Sequence, residues 1–402
     1  MRKSKIPAIA ERNRIINNIV NVIHEKDNFL ILGHKDPDAD CIASMAAFAL
    51  LVKKFYKKVT LILYKEYHHK FPYLTQICRH NHISIIESEK DIKNNFDVIA
   101  ALDTPKPSML EAWKKIADMI ADKNIIKIEI DHHMGADSGY IGDKNYCLAD
   151  ETSSTCELIA YLVFKLNNKK ELLEKYNMPE LLSSNFVLAI ITGMISDSKA
   201  GKYLKSARQT LFYKFFSEYY NKILLKLTYP NSNNFSSIEE IFHELEKLSE
   251  EETVCYKYFM ERKKISAHIA YILIDIDETD YFYKNFKKEI IASTARRLTD
   301  DLAEESGYLS IIAYYDNPKE SDLIQFKMRR SHTFSKVDLR DIIKALEIED
   351  GGGHLGAVGF RVKQNSVSDL KKTMEQIVNK IENTLSKVLN PLQEISKDQD
   401  SL

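Results

Sequence analysis

At 402 residues, 44% of them hydrophobic, the chain can bury sizeable cores and is long for one domain, so two or three domains are expected. Its 57 basic and 58 acidic side chains nearly cancel, which argues against a long nucleic-acid polymer as ligand and favours a small anion held locally. Five cysteines, Cys41, Cys78, Cys147, Cys156 and Cys255, show no C-x-x-C spacing and are odd in number, so a disulfide framework is not expected and a reducing, cytoplasmic setting is.

Residues 1–11 are basic and lead into a mixed helix rather than an apolar signal core. No window stays apolar for the roughly 18 residues that a bilayer span needs. Strand-like runs then alternate with helical ones: a strand at 29–32, a helix at 42–54, strands at 59–64, 83–87 and 96–103, a helix around Trp113, and a strand at 125–131. Continuous apolar strands in alternation with helices predict an α/β fold whose parallel sheet is covered on both faces. Helices follow at 153–166, 185–195 and 207–227. Residues 229–234 have turn composition, and the charged stretch 238–252 reads as an exposed bridging helix. A second, smaller α/β pattern has strands at 267–276, 308–315 and 322–329 and a helix at 338–346. The expected domains are therefore 1–228 and 265–402, with a helical linker at 229–264 and a polar, frayed tail from Gln393.

The residues with chemistry lie where apolar runs end. After the first strand come His34, Asp38 and Asp40, spaced i, i+4 and i+6 across Pro37, which forbids a regular helix and makes the chain turn. Asp103 follows the run at 96–102. Asp131, His132 and His133 follow the run at 125–130, and Asp197 closes the apolar segment 186–195. Ends of buried strands are where α/β proteins put chemistry. Singly, each has a plainer reading: a turn residue, a solvated histidine, a helix cap. Four such coincidences in order point to a metal site, because a charge there is costly unless paired or bound to metal. Imidazole with several carboxylates suits Mn²⁺, Mg²⁺ or iron rather than a thiolate zinc site.

With these residues in place, the sequence resembles the DHH phosphoesterases. The motifs of that family's catalytic domain correspond to His34-x3-Asp38-x-Asp40, Asp103, Asp131-His132-His133 and Asp197, in the family's order. Gly351, Gly352, Gly353 and His354, followed by residues 356–360, look like the glycine-rich loop of the DHH-associated C-terminal domain. Met328-Arg329-Arg330-Ser331 resembles that domain's Ser-x-Arg-Ser strand with Met in first place. Small residues are commoner in the family around Cys41 to Ala43, and Thr-Gly is commoner after Asp197. None of these departures removes a ligand.

The resemblance implies a metal-binding catalytic domain and a substrate-binding domain with the active site between them. It also implies two divalent ions, usually manganese, with magnesium or another divalent ion as the alternative. Carried over, His34, Asp38 and Asp103 hold one ion, and Asp40, Asp103, His132 and Asp197 hold the other. Such a pair activates water for attack on phosphorus. Asp131 then orients an imidazole, and His133 donates to the phosphate or leaving oxygen. In the second domain the glycines let backbone N–H groups approach a ligand, His354 adds a donor, and Arg330 with Ser331 clamps phosphate.

The implied function is hydrolysis of cyclic dinucleotides such as cyclic di-AMP, of the linear dinucleotide, or of both. An oligoribonuclease (nanoRNase) that also removes phosphate from adenosine 3′,5′-bisphosphate is the alternative, and the motifs do not separate them. Long-strand exonucleases carry strand-binding domains and basic channels not visible here. The pyrophosphatase and polyphosphatase branch lacks the Gly-Gly-Gly-His loop. A non-catalytic nucleotide sensor would have lost a ligand, whereas all six positions are filled. The expected partner is a small nucleotide, with no membrane and no long nucleic acid, and homodimerisation is left open.

Overall fold

The computed structural model describes residues 3, 6–68, 70–93, 95–135, 138–225, 235–348 and 350–389; the side chains of Glu66 and His354 lie outside that description. So do the turn segment expected at 229–234 and the tail from Gln393. Two compact units divide the chain, Met1–Lys247 and Leu248–Leu402.

In the first unit the strands are β1 (Asn28–Leu32), β2 (Lys58–Ile62), β3 (Ser84–Ile86), β4 (Val98–Leu102), β5 (Ile126–Asp131) and β6 (Cys147–Ala149). The helices are α1 (Ile9–Glu25), α2 (Ala39–Lys53), α3 (Pro72–His80), α4 (Trp113–Ala121), α5 (Thr155–Leu166), α6 (Lys170–Lys175), α7 (Ser184–Ser198), α8 (Ala207–Leu224) and α9 (Ile238–Leu245). All six strands are parallel, in the order β3-β2-β1-β4-β5-β6.

Alternate strand residues enter two cores. Phe29, Ile31, Val98, Ala100, Ile128 and Ile130 face a layer built on α2, α5 and α7, while Leu30, Leu32, Ile99 and Ala101 face α4. This double burial is why the strands read as unbroken apolar runs. Helix α2 is buried on nearly every side, which explains its all-round apolar sequence. From β1 the chain winds outward to β3 and then returns to place β4 on the other side of β1. A switch point therefore lies between β1 and β4, and in open parallel sheets ligands bind beyond the carboxyl ends of the strands there.

The second unit has a mixed sheet of β7 (Lys264–Ile265), β8 (Ile269–Ile274), β9 (Leu309–Tyr315), β10 (Leu323–Arg330), β11 (Gly351–His354) and β12 (Ala357–Lys363), in the order β11-β12-β10-β9-β8-β7. Only β8 and β9 run parallel among these pairs. Helices α10 (Glu250–Met260), α11 (Ile276–Asn285) and α12 (Lys288–Ser306) cover one face, through Phe259, Phe282 and Leu298. Helices α13 (Leu339–Ala345) and α14 (Leu370–Leu389) cover the other, through Ile342, Met374 and Ile377.

Two readings of the sequence are corrected. The single bridging helix at 238–252 is two helices, α9 and α10. They are separated because Ser249 caps α10, its side chain accepting from Glu252 N while the Glu252 carboxylate accepts from Ser249 N. The glycine-rich loop is the edge strand β11, paired antiparallel with β12 from Gly351↔Phe360 to His354↔Ala357. Glycine is needed for that close pairing: a Cβ at Gly353, where φ is +142°, would lie 2.2 Å from the Ala357 carbonyl oxygen. Among the described residues no helix is long and apolar enough to cross a membrane.

Candidate metal centre

Motif residues from β1, β4 and β5 converge beyond the carboxyl ends of these three adjacent strands. Gly33 leaves β1 packed against α2, where a Cβ would sit 2.1 Å from Cys41 Sγ, so the turn into His34 needs a residue without one. His34 Nδ1 donates to the Lys35 carbonyl at 2.7 Å, which leaves Nε2 facing the acids, 3.8 Å from Asp38 Oδ1 and 3.8 Å from Asp103 Oδ2. Asp38 is the N-cap of α2, accepting from Cys41 N at 3.1 Å, and its side chain stays 43% exposed.

Asp103 directly follows β4 with φ of +49°, a left-handed conformation that aspartate tolerates better than most residues and that turns the chain out of the strand's regular path. Its other oxygen, Oδ1, is 3.3 Å from His132 Nε2, and His132 Nε2 is also 3.3 Å from Asp197 Oδ2 in the last turn of α7. Oδ2 of Asp103 thus faces His34, while Oδ1 faces His132 and, at 3.5 Å, His133 Nδ1. His133 Nδ1 donates to Asp131 Oδ1 at 2.8 Å, and the His133 side chain is 25% exposed.

Asp40 is fully buried and accepts two backbone N–H groups, from Thr155 at 2.6 Å and Cys156 at 3.1 Å. Helix α7 reaches it closely through Gly193, whose Cβ would stand 2.2 Å from Asp40 Oδ1. Burial and then the charge of Asp103 push the Asp40 carboxyl up to about 7. Burial and then Asp40 likewise raise Asp197 well above the carboxylate range. Burial disfavours a cationic His132, yet Asp103, Asp197 and Asp40 together raise its proton affinity well above the ordinary imidazole value. The crowding of acids calls for positive charge. One ligand atom each from Asp40, His132 and Asp197 lie within 4.8 Å of one another, as do those of Asp103, His132 and His133 and those of His34, Cys41 and Asp103. Apart from the Cys41 thiol, which burial pushes up to about 11 and so keeps protonated, these are oxygen and imidazole donors, and they fit divalent ions.

Several supporting residues escaped the sequence reading. Thr155 Oγ1 donates to Asp103 Oδ1 at 2.9 Å while its backbone N–H holds Asp40, so the first turn of α5 orients carboxylates from two motifs. The signal was present as Ser154, three residues before Glu157, an N-cap pattern; its side chain accepts from Glu157 N. Lys3 and Glu129, both fully buried, pair beneath Asp131. Thr155→Val removes the hydroxyl at constant shape. It should weaken metal binding by roughly tenfold to a hundredfold, the usual cost of losing a group that orients a ligand. A metal titration of the purified variant checks this, and unchanged affinity would show that Thr155 is only a helix-start residue.

The residues expected to hold substrate lie in the second unit. Arg330, at the end of β10, has its backbone N–H on the Gly356 carbonyl at 3.0 Å and its Nη1 on the Val337 carbonyl at 2.6 Å. It therefore flanks the turn that joins β11, with Gly351, Gly352, Gly353 and His354, to β12. Ser331 is 1% exposed, and its hydroxyl is held by Glu304 and Thr333, so it shapes this end of β10 rather than presenting a free donor.

The sequence pattern of the DHH family, N-terminal domain, matches residues 28–194, and that of the DHHA1 domain matches residues 278–380. The chain is a DHH-family phosphoesterase with a C-terminal DHHA1 domain. Enzymes of this family hydrolyse phosphoric ester bonds with divalent metal ions, and this DHH protein is such a hydrolase. An exopolyphosphatase-related protein from Bacteroides fragilis shares the fold, with TM-score 0.62 at 20% identity over 96% of this chain and 98% of that one. RecJ from Thermus thermophilus, solved in complex with Mn²⁺, aligns with TM-score 0.48 and 10% identity over 95% of this chain and 56% of its own. A pGpG-specific phosphodiesterase from Vibrio cholerae aligns with TM-score 0.34 and 13% identity over 88% of this chain and 100% of that one. No curated protein matches the chain significantly.

Proposed function

We propose that this DHH protein is a manganese-dependent phosphodiesterase that hydrolyses cyclic dinucleotides such as cyclic di-AMP, linear dinucleotides, or both. The observation that carries the reading is Asp103, whose Oδ2 faces His34 and whose Oδ1 faces His132, the arrangement a carboxylate shared by two ions needs. His34, Asp38 and Asp103 would hold one ion, and Asp40, Asp103, His132 and Asp197 the other. Bound there, the ions supply an activated water and offset charge on the phosphoryl oxygens. His133, aligned through Nδ1 by Asp131, is assigned as the donor to a phosphate or leaving oxygen. In the DHHA1 domain the backbone of Gly351 to Gly353, His354 and Arg330 are assigned to the substrate's phosphates.

A short substrate is supported by the balanced charge, 57 basic against 58 acidic side chains, which offers little to a long polyanion. Product analysis with purified protein and Mn²⁺ tests the proposal on cyclic di-AMP, its linear dinucleotide, RNAs of about two to five nucleotides, a strand of about twenty, and adenosine 3′,5′-bisphosphate. The rate per scissile bond is expected to fall steeply beyond about five nucleotides, because each added phosphate meets solvent. Processive degradation of the long strand, with affinity rising with length and a steep salt dependence, would overturn the short-substrate reading.

A further inference from the structure

Beneath the DHH motif lies a cation that neither the motif nor the proposed mechanism uses. Lys3 is 0% exposed. Its Nζ pairs with Asp131 Oδ2, lies 2.6 Å from Glu129 Oε1 and donates to the Thr104 carbonyl at 2.9 Å. Its own carbonyl accepts from Gly135 N at 3.0 Å. One residue thus ties together the segments that follow two motifs, Thr104 directly after Asp103 and Gly135 two residues beyond His133. Glu129 and Asp131 alternate on one face of β5, and both are fully buried. The second oxygen of Glu129 accepts from Ile141 N and Gly142 N, both at 2.8 Å, so that carboxylate is anchored independently of Lys3. Asp131 is divided differently, with Oδ2 on Lys3 and Oδ1 on His133 Nδ1 at 2.8 Å.

We infer that Lys3 is a positioning residue for the reaction: by holding Asp131 Oδ2 it sets the carboxylate plane that aligns His133 toward the phosphate. This rests on the role given to His133 under the proposed function. Burial alone disfavours the ammonium, yet Asp131 and Glu129 together raise its proton affinity, so Lys3 remains a cation between them. Without it, two buried carboxylates two residues apart repel each other, and Asp131, which has no backbone N–H anchor like those of Glu129 among the described residues, is held on its other oxygen by His133 alone and is the one to turn. A counter-ion with a purely structural role would lower stability when removed and leave the bond made by His133 intact.

A double-mutant cycle with an activity-independent readout separates the two. Lys3→Met in the full chain should lower kcat on the linear dinucleotide about tenfold or more, with KM and bound manganese unchanged. Lys3→Arg should recover part of the loss. In a His133→Ala background, Lys3→Met should cost less than about twofold more, because the group it acts through is gone. In protein carrying isotope-labelled histidine, the hydrogen-bonded Nδ1–H resonance of His133, assigned by its disappearance in His133→Ala, should shift or broaden in Lys3→Met. An unchanged resonance, or a kcat loss that persists in full without His133, overturns the inference. If Lys3→Met does not fold, Lys3→Arg is read by the same cycle, since it keeps the charge but moves the donor; an unaltered kcat and resonance there overturn it too. If wild-type protein turns over no dinucleotide, the proposed function fails by itself and the resonance alone decides the role of Lys3.

Discussion

Asp103→Ala should lower turnover by about a thousandfold or more, roughly 4 kcal/mol of barrier, while the protein still folds. Oδ2 of Asp103 faces His34 and Oδ1 faces His132 and His133, so loss of the side chain would remove the ligand proposed to be shared and the charge balance of both halves together. Folding should survive because the lost contacts are few, with Thr155 Oγ1 the hydroxyl left without its carboxylate. The charge of Asp103 is also one of the forces that push up the neighbouring Asp40 carboxyl, so removing it relieves repulsion in the metal-free protein. Steady-state kinetics with saturating Mn²⁺ decide the matter. More than about a tenth of the wild-type rate, a loss under roughly 1.4 kcal/mol, would contradict a shared ligand.

Asp40→Asn should have a large and pH-dependent effect on the metal-free protein. The folded-state pKa of Asp40 is raised from 3.8 to about 7, so between those values the native state holds a proton that the unfolded chain has released. Stability from this group is therefore present at low pH and is lost as pH rises through the window toward about 7. Asparagine carries no charge to desolvate. Melting curves in chelator should show the variant gaining on wild type as pH rises from about 4 to about 8, with added Mn²⁺ restoring wild type and not the variant. Asparagine also has one acceptor oxygen for the two N–H groups of Thr155 and Cys156, a constant offset, so the change with pH is the quantity read. A pH-independent difference would mean that Asp40 is not strained by its neighbours.

The catalytic half was legible because β1, β4 and β5 are buried on both faces, which makes them continuous apolar runs, and an acid or histidine at the end of such a run stands out. Asp197 was legible for the same reason at the end of α7. Lys3 was not, since its partner Asp131 is 128 residues away and no local pattern marks a lysine destined for a buried pair. Thr155 was hidden by a second role, because a polar residue at the start of a helix needs no metal to explain it. In the second unit the glycines of β11 read as a loop, since glycine is poor in strands. Close pairing with β12 overrides that preference. Helices α12 and α14 went unread between the better strand signals of β8 to β10. Their apolar positions are spaced around charged ones, and only the sheet faces they cover show which side is buried.

The central claim, two ions sharing Asp103, is tested most directly by an electron paramagnetic resonance titration of metal-free protein with Mn²⁺. Two ions per chain with an exchange-coupled spectrum are expected from wild type, and loss of the coupling from Asp103→Ala. One uncoupled ion in wild type at saturation, or coupling that survives Asp103→Ala, would contradict it.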